Sequence, residues 1–195
     1  MKLSLRRNWG GAVLLLVVLA LAAWLLLRSR DSGFECVSGW LPEIHLAAQE
    51  AGIDPHLLAG LVYAESRGKA GAISSIGALG LCQLLPSTAA EVAARIHVDG
   101  PPFTPQDNLR LGADYLRHMI AYWDGDVDLG LLSYRLGPSR VKRLVAAAGG
   151  QAEWFAAIRE QHPSPWGYRQ QVLAIRDRFA ALALAAPAAV ILVKP

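Results

Sequence analysis

An all-α fold is what this chain predicts, and three observations carry the expectation. Apolar residues recur at spacings of three and four, as in Leu58, Leu61 and Val62, and again in Leu109, Ala113, Leu116 and Ile120. Strand-like alternation of useful length is missing. Glycines and prolines fall between the periodic stretches, at Gly52, from Gly100 to Pro105, and at Gly149 and Gly150, where helices have to stop. No internal repeat is present.

In chain order, the first feature is the uncharged run from Trp9 to Leu27, WGGAVLLLVVLALAAWLLL, long enough to cross a bilayer core of roughly 30 Å as a helix. Its length, and the lack of a small-residue cleavage site before Arg28, favour an uncleaved single-pass anchor over a signal peptide. Lys2, Arg6 and Arg7 precede it and Arg28 and Arg30 follow it, which slightly favours an inside amino terminus. The expected organisation is an anchor over residues 1–30, a juxtamembrane linker over 31–39, a folded domain over 40–180 and an apolar tail over 181–195. The tail contains Pro187 and is too short for a second span.

Within the domain, Pro42 opens a helix that Gly52 ends, and Asp54 caps a second helix with Pro55 in its first turn, where a missing N–H costs nothing. A Gly-rich loop follows, and the spacing predicts that helix resumes near Leu79 with Gln83 on it. Residues 87–96 continue helical, and 97–105 must be a loop. Further helices are expected over 107–123, 128–134, 141–148 and 152–159. Pro163, Ser164 and Pro165 turn the chain into a last helix over 168–186.

The chemistry centres on Glu65. It occupies the next position on the apolar stripe of Leu58, Leu61 and Val62, so a carboxylate stands on the buried side of its helix. Desolvation there disfavours the charged form, which is the property a general acid needs. Other chemistries find little support. The five histidines lack metal-ligand spacing, no G-x-S-x-G elbow is present, and no metal or cofactor is implied. A net charge of +3 without a basic, aromatic-interleaved run argues against nucleic acid. Glycoside cleavage usually needs two carboxylates, and none of Asp99, Asp107, Asp124, Asp126 and Asp128 is placed by spacing opposite Glu65. Cys36 and Cys82 either bridge the linker to the domain or leave Cys82 as a small buried residue.

Several ordered motifs carry a family resemblance over roughly Trp40 to Arg178. They are Glu65-Ser66, then G-A-L-G-L-C-Q from Gly77, then Leu85-Pro86 with Thr88-Ala89, Asn108 with Gly112-Ala113 and Tyr115-Leu116, and Ser133-Tyr134-Arg135-Leu136-Gly137-Pro138 with Val141. Together they resemble the soluble lytic transglycosylase family, which implies a lysozyme-like helical domain acting on peptidoglycan glycan strands. The resemblance implies Glu65 as acid and then base, cutting between N-acetylmuramic acid and N-acetylglucosamine with formation of a 1,6-anhydro end.

By the same resemblance Ser66, Gln83, Tyr134 and Tyr168 are expected at the substrate. Tyr134 would orient Glu65, and Ser66 either supports it or merely bonds the helix end. The location implied is a bacterial inner membrane, with the domain in the periplasm. Two departures stand out: Arg135 replaces the family's usual Asn, and Ser164-Pro165 replaces its usual Glu-Thr. A guanidinium beside Glu65 would favour the carboxylate, which keeps a weakly active or silent glycan-binding module open, as well as a water-using hydrolase.

Overall fold

The structure, a computed structural model, describes residues 13–19, 31–161 and 163–185. Residues 13–19 are helical and exposed, and the rest of the expected anchor lies outside the described residues, as does the tail beyond Ala185. Among the described residues no helix is long and apolar enough to cross a membrane.

Residues 31–39, expected to be an aperiodic linker, instead hold helix α1 (Ser32–Ser38). The Asp31 carboxylate accepts from the N–H groups of Gly33 and Phe34 at 3.2 Å and so nucleates a helix under two turns long. Only Phe34 and Val37 are apolar and buried in it besides Gly33, too few for a periodic signal. Helix α2 (Leu41–Ala51) ends as expected at Gly52, which is left-handed at φ 70°. Helix α3 (Pro55–Ser66) starts with Asp54 accepting from the His56 N–H at 2.9 Å.

The chain next departs from the expectation of a helix through Gln83. Residues 67–85 form a compact loop of turns with isolated antiparallel bridges, Ile73 to Leu79 and Leu79 to Leu84. Gly77 and Gly80 at φ 78° and 79°, and Gln83 at φ 48°, hold left-handed conformations that no right-handed helix accommodates. Helix resumes only at Pro86, as α4 (Pro86–Ile96).

Helix α5 (Pro105–Tyr122) opens with a capping box in which Thr104 and Asp107 exchange bonds with each other's backbone N–H. Helix α6 (Val127–Leu136) is capped by Asp126, and α7 (Pro138–Ala148) follows after Gly137 alone. Helix α8 (Gln151–Gln161) precedes α9 (Pro163–Ala185), which begins at the prolines expected to form a turn. Proline suits a helix's first turn, because the N–H groups there have no intrahelical partner.

The main core gathers α1 to α6 and α9 around Leu58, Leu61, Leu109, Leu116, Leu131 and Val172. A smaller core of Leu129, Leu132, Val141, Trp154 and Ile158 lies under α6, α7 and α8. The closest crossing joins α3 to α9: a Cβ on Gly60 would stand 2.3 Å from the Val172 carbonyl oxygen. The glycine therefore lets the two backbones touch, and that approach sets where α9 meets the end of α3.

Candidate active site

Glu65 is the penultimate residue of α3, and its stripe of Leu58, Leu61 and Val62 is fully buried behind it. The carboxyl inherits that setting, with its side chain 5% exposed. It opens onto a cleft of about 400 Å³ lined also by Ser74, Ser75, Ile76, Gln83, Tyr134 and Arg135. Among the described residues lining this cleft, Glu65 is the single carboxylate. Asp107 and Asp126 are spent on helix caps, and Asp128 is paired with Arg169.

Two groups from distant elements address Glu65. The Tyr168 phenol, carried on α9, donates to Glu65 Oε1 at 2.7 Å. Arg135, at the end of α6, places Nη1 3.7 Å from Glu65 Oε2, and its guanidinium lies 5.3 Å from the centre of the Tyr168 ring. Burial pushes the Glu65 pKa above its ordinary value, and the Tyr168 hydrogen bond and the Arg135 charge oppose that rise without cancelling it. Arg135 is half exposed, so water screens its pull. Tyr168 itself is pushed well above the usual phenol range, first by burial and then by the Glu65 charge. It therefore remains a protonated donor.

Tyr134 lines the cleft but does not orient Glu65 as expected. Its hydroxyl donates to the Cys82 carbonyl at 2.8 Å, so it braces the loop, and Tyr168 takes the orienting position. Gln83 also lines the cleft, yet its amide nitrogen donates to the carbonyls of Ala72 at 3.1 Å and Gly80 at 3.0 Å. Ser66 is buried, donating to the Val62 carbonyl and accepting from the Gly68 N–H. It is engaged with the helix end and is not among the residues lining the cleft.

The wall carrying Gln83 is held from behind by residues that entered the sequence reading only as motif letters. Asn108 on α5 accepts from the Cys82 N–H at 2.8 Å and donates to the Leu79 carbonyl at 3.1 Å. Added Cβ atoms would meet Asn108 at 2.7 Å from Gly80, and the Cys82 sulfur at 2.4 Å from Gly112. The motif glycines thus open space for a contact in which the Asn108 amide grips one turn of the loop at two points, the Leu79 C=O and the Cys82 N–H. The signal in the sequence was a polar Asn heading an apolar stripe. Ser74 and Ser75, two hydroxyls between Ile73 and Ile76, were not singled out at all. Cys36 and Cys82 are free thiols: Cys36 donates to the Gly68 carbonyl, and Cys82 is the small buried residue of the two alternatives. Among the described residues, no group of three His, Cys, Asp or Glu side chains is placed to hold a metal ion.

Residues 43–156 match the family model of the transglycosylase SLT domain. The chain is 36% identical over 101 residues to a transglycosylase of Enterobacteria phage PRD1, covering 52% of this chain and 36% of that one. It is 37% identical over 83 residues to the endo-type membrane-bound lytic murein transglycosylase A of Salmonella enteritidis, covering 40% and 41% respectively. It therefore spans well under half the length of these relatives. Among solved structures, an inactive variant of the lytic transglycosylase Slt of Pseudomonas aeruginosa superposes with a TM-score of 0.65 at 26% identity, over 75% of this chain and 24% of that one. The 70 kDa soluble lytic transglycosylase of Escherichia coli gives 0.64 at 20% identity, over 73% and 24%, a likeness of fold.

Proposed function

Because this chain belongs to the transglycosylase SLT domain family, we propose that it is a peptidoglycan lytic transglycosylase in which Glu65 serves first as acid and then as base. The observation that carries this reading is a lone carboxyl that faces a cleft and is desolvated, and whose pKa burial pushes upward. A hydrolase of the two-carboxylate kind would need a partner, and the described cleft lining offers none.

Protonated Glu65 donates to the oxygen joining N-acetylmuramic acid to N-acetylglucosamine, and the bond from that oxygen to the muramyl C1 breaks. The muramyl acetamido oxygen closes on C1 and takes up the positive charge. Glu65, now ionised, removes the proton from the 6-hydroxyl as O6 attacks C1 and displaces the acetamido oxygen. The product carries a 1,6-anhydro ring, no water is consumed, and Glu65 ends protonated.

The two stages demand a carboxyl whose protonated and ionised forms are both reachable near working pH. Burial supplies the first. Tyr168 and Arg135 stabilise the second. In this scheme Gln83 serves the substrate through the wall it holds, and Ser74 and Ser75 offer hydroxyls to the sugars. Tyr134 and Ser66 support that wall and the end of α3 from the protein side.

The apolar run from Trp9 to Leu27 is proposed to anchor the chain in a bacterial inner membrane, with the domain on the periplasmic face. Its length and lack of charge support this, as does the membrane-bound description of the Salmonella relative. The 3.7 Å approach of Arg135 to Glu65 favours a second reading, a catalytically weak glycan-binding module.

Mass analysis of muropeptides released from purified sacculi separates these readings. The wild type is expected to release products lighter by one water than hydrolytic ones, and Glu65→Gln is expected to release at least about a hundredfold less. Equal release by both proteins, or hydrated ends from the wild type, would overturn the assignment, and no release by either would favour the binding module.

A further inference from the structure

Helix α9 outruns the domain. Phe179 is buried in the main core, but residues 181–185 are exposed on every side, with Leu182 at 53% and Leu184 at 88%. A helix that is apolar all round is ordinarily buried, in a protein core or in a membrane. The sequence stays uncharged from Phe179 to Val193, between Arg178 and Lys194. Its fifteen residues are fewer than the roughly 20 that a helix needs to cross a bilayer core.

The place where α9 leaves the domain is also where the chain enters it. Phe34 of α1 stacks on Phe179 with ring centres 4.1 Å apart. Arg178 lies over the Phe34 ring at 3.6 Å and reaches Asp31 Oδ2 at 3.4 Å, and the Tyr63 hydroxyl donates to the same oxygen at 2.7 Å. Asp31 is thus part of the fold, and only Arg28, Ser29 and Arg30 separate it from the uncharged run ending at Leu27. Four residue steps reach at most about 14 Å. Both apolar stretches therefore meet the domain at one end, beside the half-exposed Arg178 guanidinium.

We propose that the projecting end of α9, residues 181–185, seats in the lipid interface next to the exit of the N-terminal segment, giving the domain two membrane contacts. The inference rests on the anchor proposed above and goes beyond it. A single anchor leaves the domain free to swivel, whereas two contacts at one end fix which way it faces. The Glu65 to Tyr168 site then stays within about 21 Å of the lipid contact, measured along α9 from Tyr168 to Leu182.

The test uses the full chain in phosphatidylcholine and phosphatidylglycerol vesicles, with an environment-sensitive NBD probe on Leu184→Cys in a Cys36→Ser background. Cys82 is buried and Cys36 is exposed, so only the latter needs replacing. Ser139→Cys, on the exposed face of α7, is the control. The expected result is flotation with the vesicles, severalfold protection of the probe at position 184 from aqueous iodide, and loss of its emission on doxyl-lipid vesicles, with neither change at 139. Flotation with an iodide-accessible probe at 184 would overturn the second contact and leave the anchor standing. A probe shielded from iodide but unquenched by doxyl lipid would overturn it in favour of coverage by protein. Failure to float would remove the anchor and this inference together.

Discussion

Glu65 draws its chemistry from its register on α3: it follows Leu61 and Val62 at spacings of four and three and faces the cleft, whereas the next residue, Ser66, is buried away from it. Burial raises its pKa, and Tyr168 and Arg135 only temper the rise. A carboxyl whose folded pKa lies above its unfolded value stabilises the fold fully below the unfolded value and loses that contribution as pH climbs through the folded one. Glu65→Gln keeps the shape and carries no charge. It is expected to melt higher than wild type at pH 7, with the gap closing below the ordinary glutamate value of 4.5, measured by thermal unfolding across pH. Glu65 was legible in the sequence because stripe position is a local property. Its partner is reached only through the family resemblance, which gives the orienting role to Tyr134: Tyr168 lies 103 residues away, and nothing in the spacing distinguishes the two. Arg135 was legible as a departure, and its distance from Glu65 could come only from the fold.

Among elements, the start of α3 follows its cap at Asp54, because capping depends on neighbouring residues, whereas α5 and α6 begin at their caps Thr104 and Asp126, ahead of the starts at 107 and 128 that periodicity predicts. Within the 67–85 loop, the stretch from Leu79 to Gln83 departs from the expected helix for the opposite reason. Its apolar residues look helical, whereas its conformation is imposed by Gly77, Gly80 and the grip of Asn108 from another helix. Asn108→Ala would leave the Cys82 N–H without its partner and the Leu79 carbonyl with the Leu84 N–H alone. The expected loss is about 1–3 kcal/mol of stability in urea unfolding, with a weakened cleft wall. The α3 to α9 crossing is the other element-scale dependency. In Gly60→Ala a Cβ would meet the Val172 carbonyl at 2.3 Å, so α9 must move outward. The expected cost is about 1–3 kcal/mol, together with reduced glycan cleavage because Tyr168 moves with its helix. Normal stability and activity in that variant would show that the crossing does not position the site.

At the scale of the molecule, the described domain begins earlier than sequence periodicity suggested, since α1 locks onto α3 and α9 through Asp31, Phe34 and Arg178. The all-helical class was legible from apolar spacing, but the division into a main core and a smaller one under α6 to α8 was not, because it depends on which helix faces meet. In this architecture α3 supplies the buried carboxyl, α9 its hydrogen-bond donor, α6 its cation, and the braced loop the opposing wall. All of these converge on one titrating group. The most direct test follows the Glu65 carboxyl by carbon-13 NMR across pH, beside the pH dependence of glycan cleavage, in wild type and Arg135→Asn. The expected midpoint lies above 4.5 and coincides with the alkaline limb of the rate, and both move upward when the guanidinium is removed. A midpoint at or below 4.5, or an alkaline limb unmoved by Arg135→Asn, would contradict the role given to Glu65.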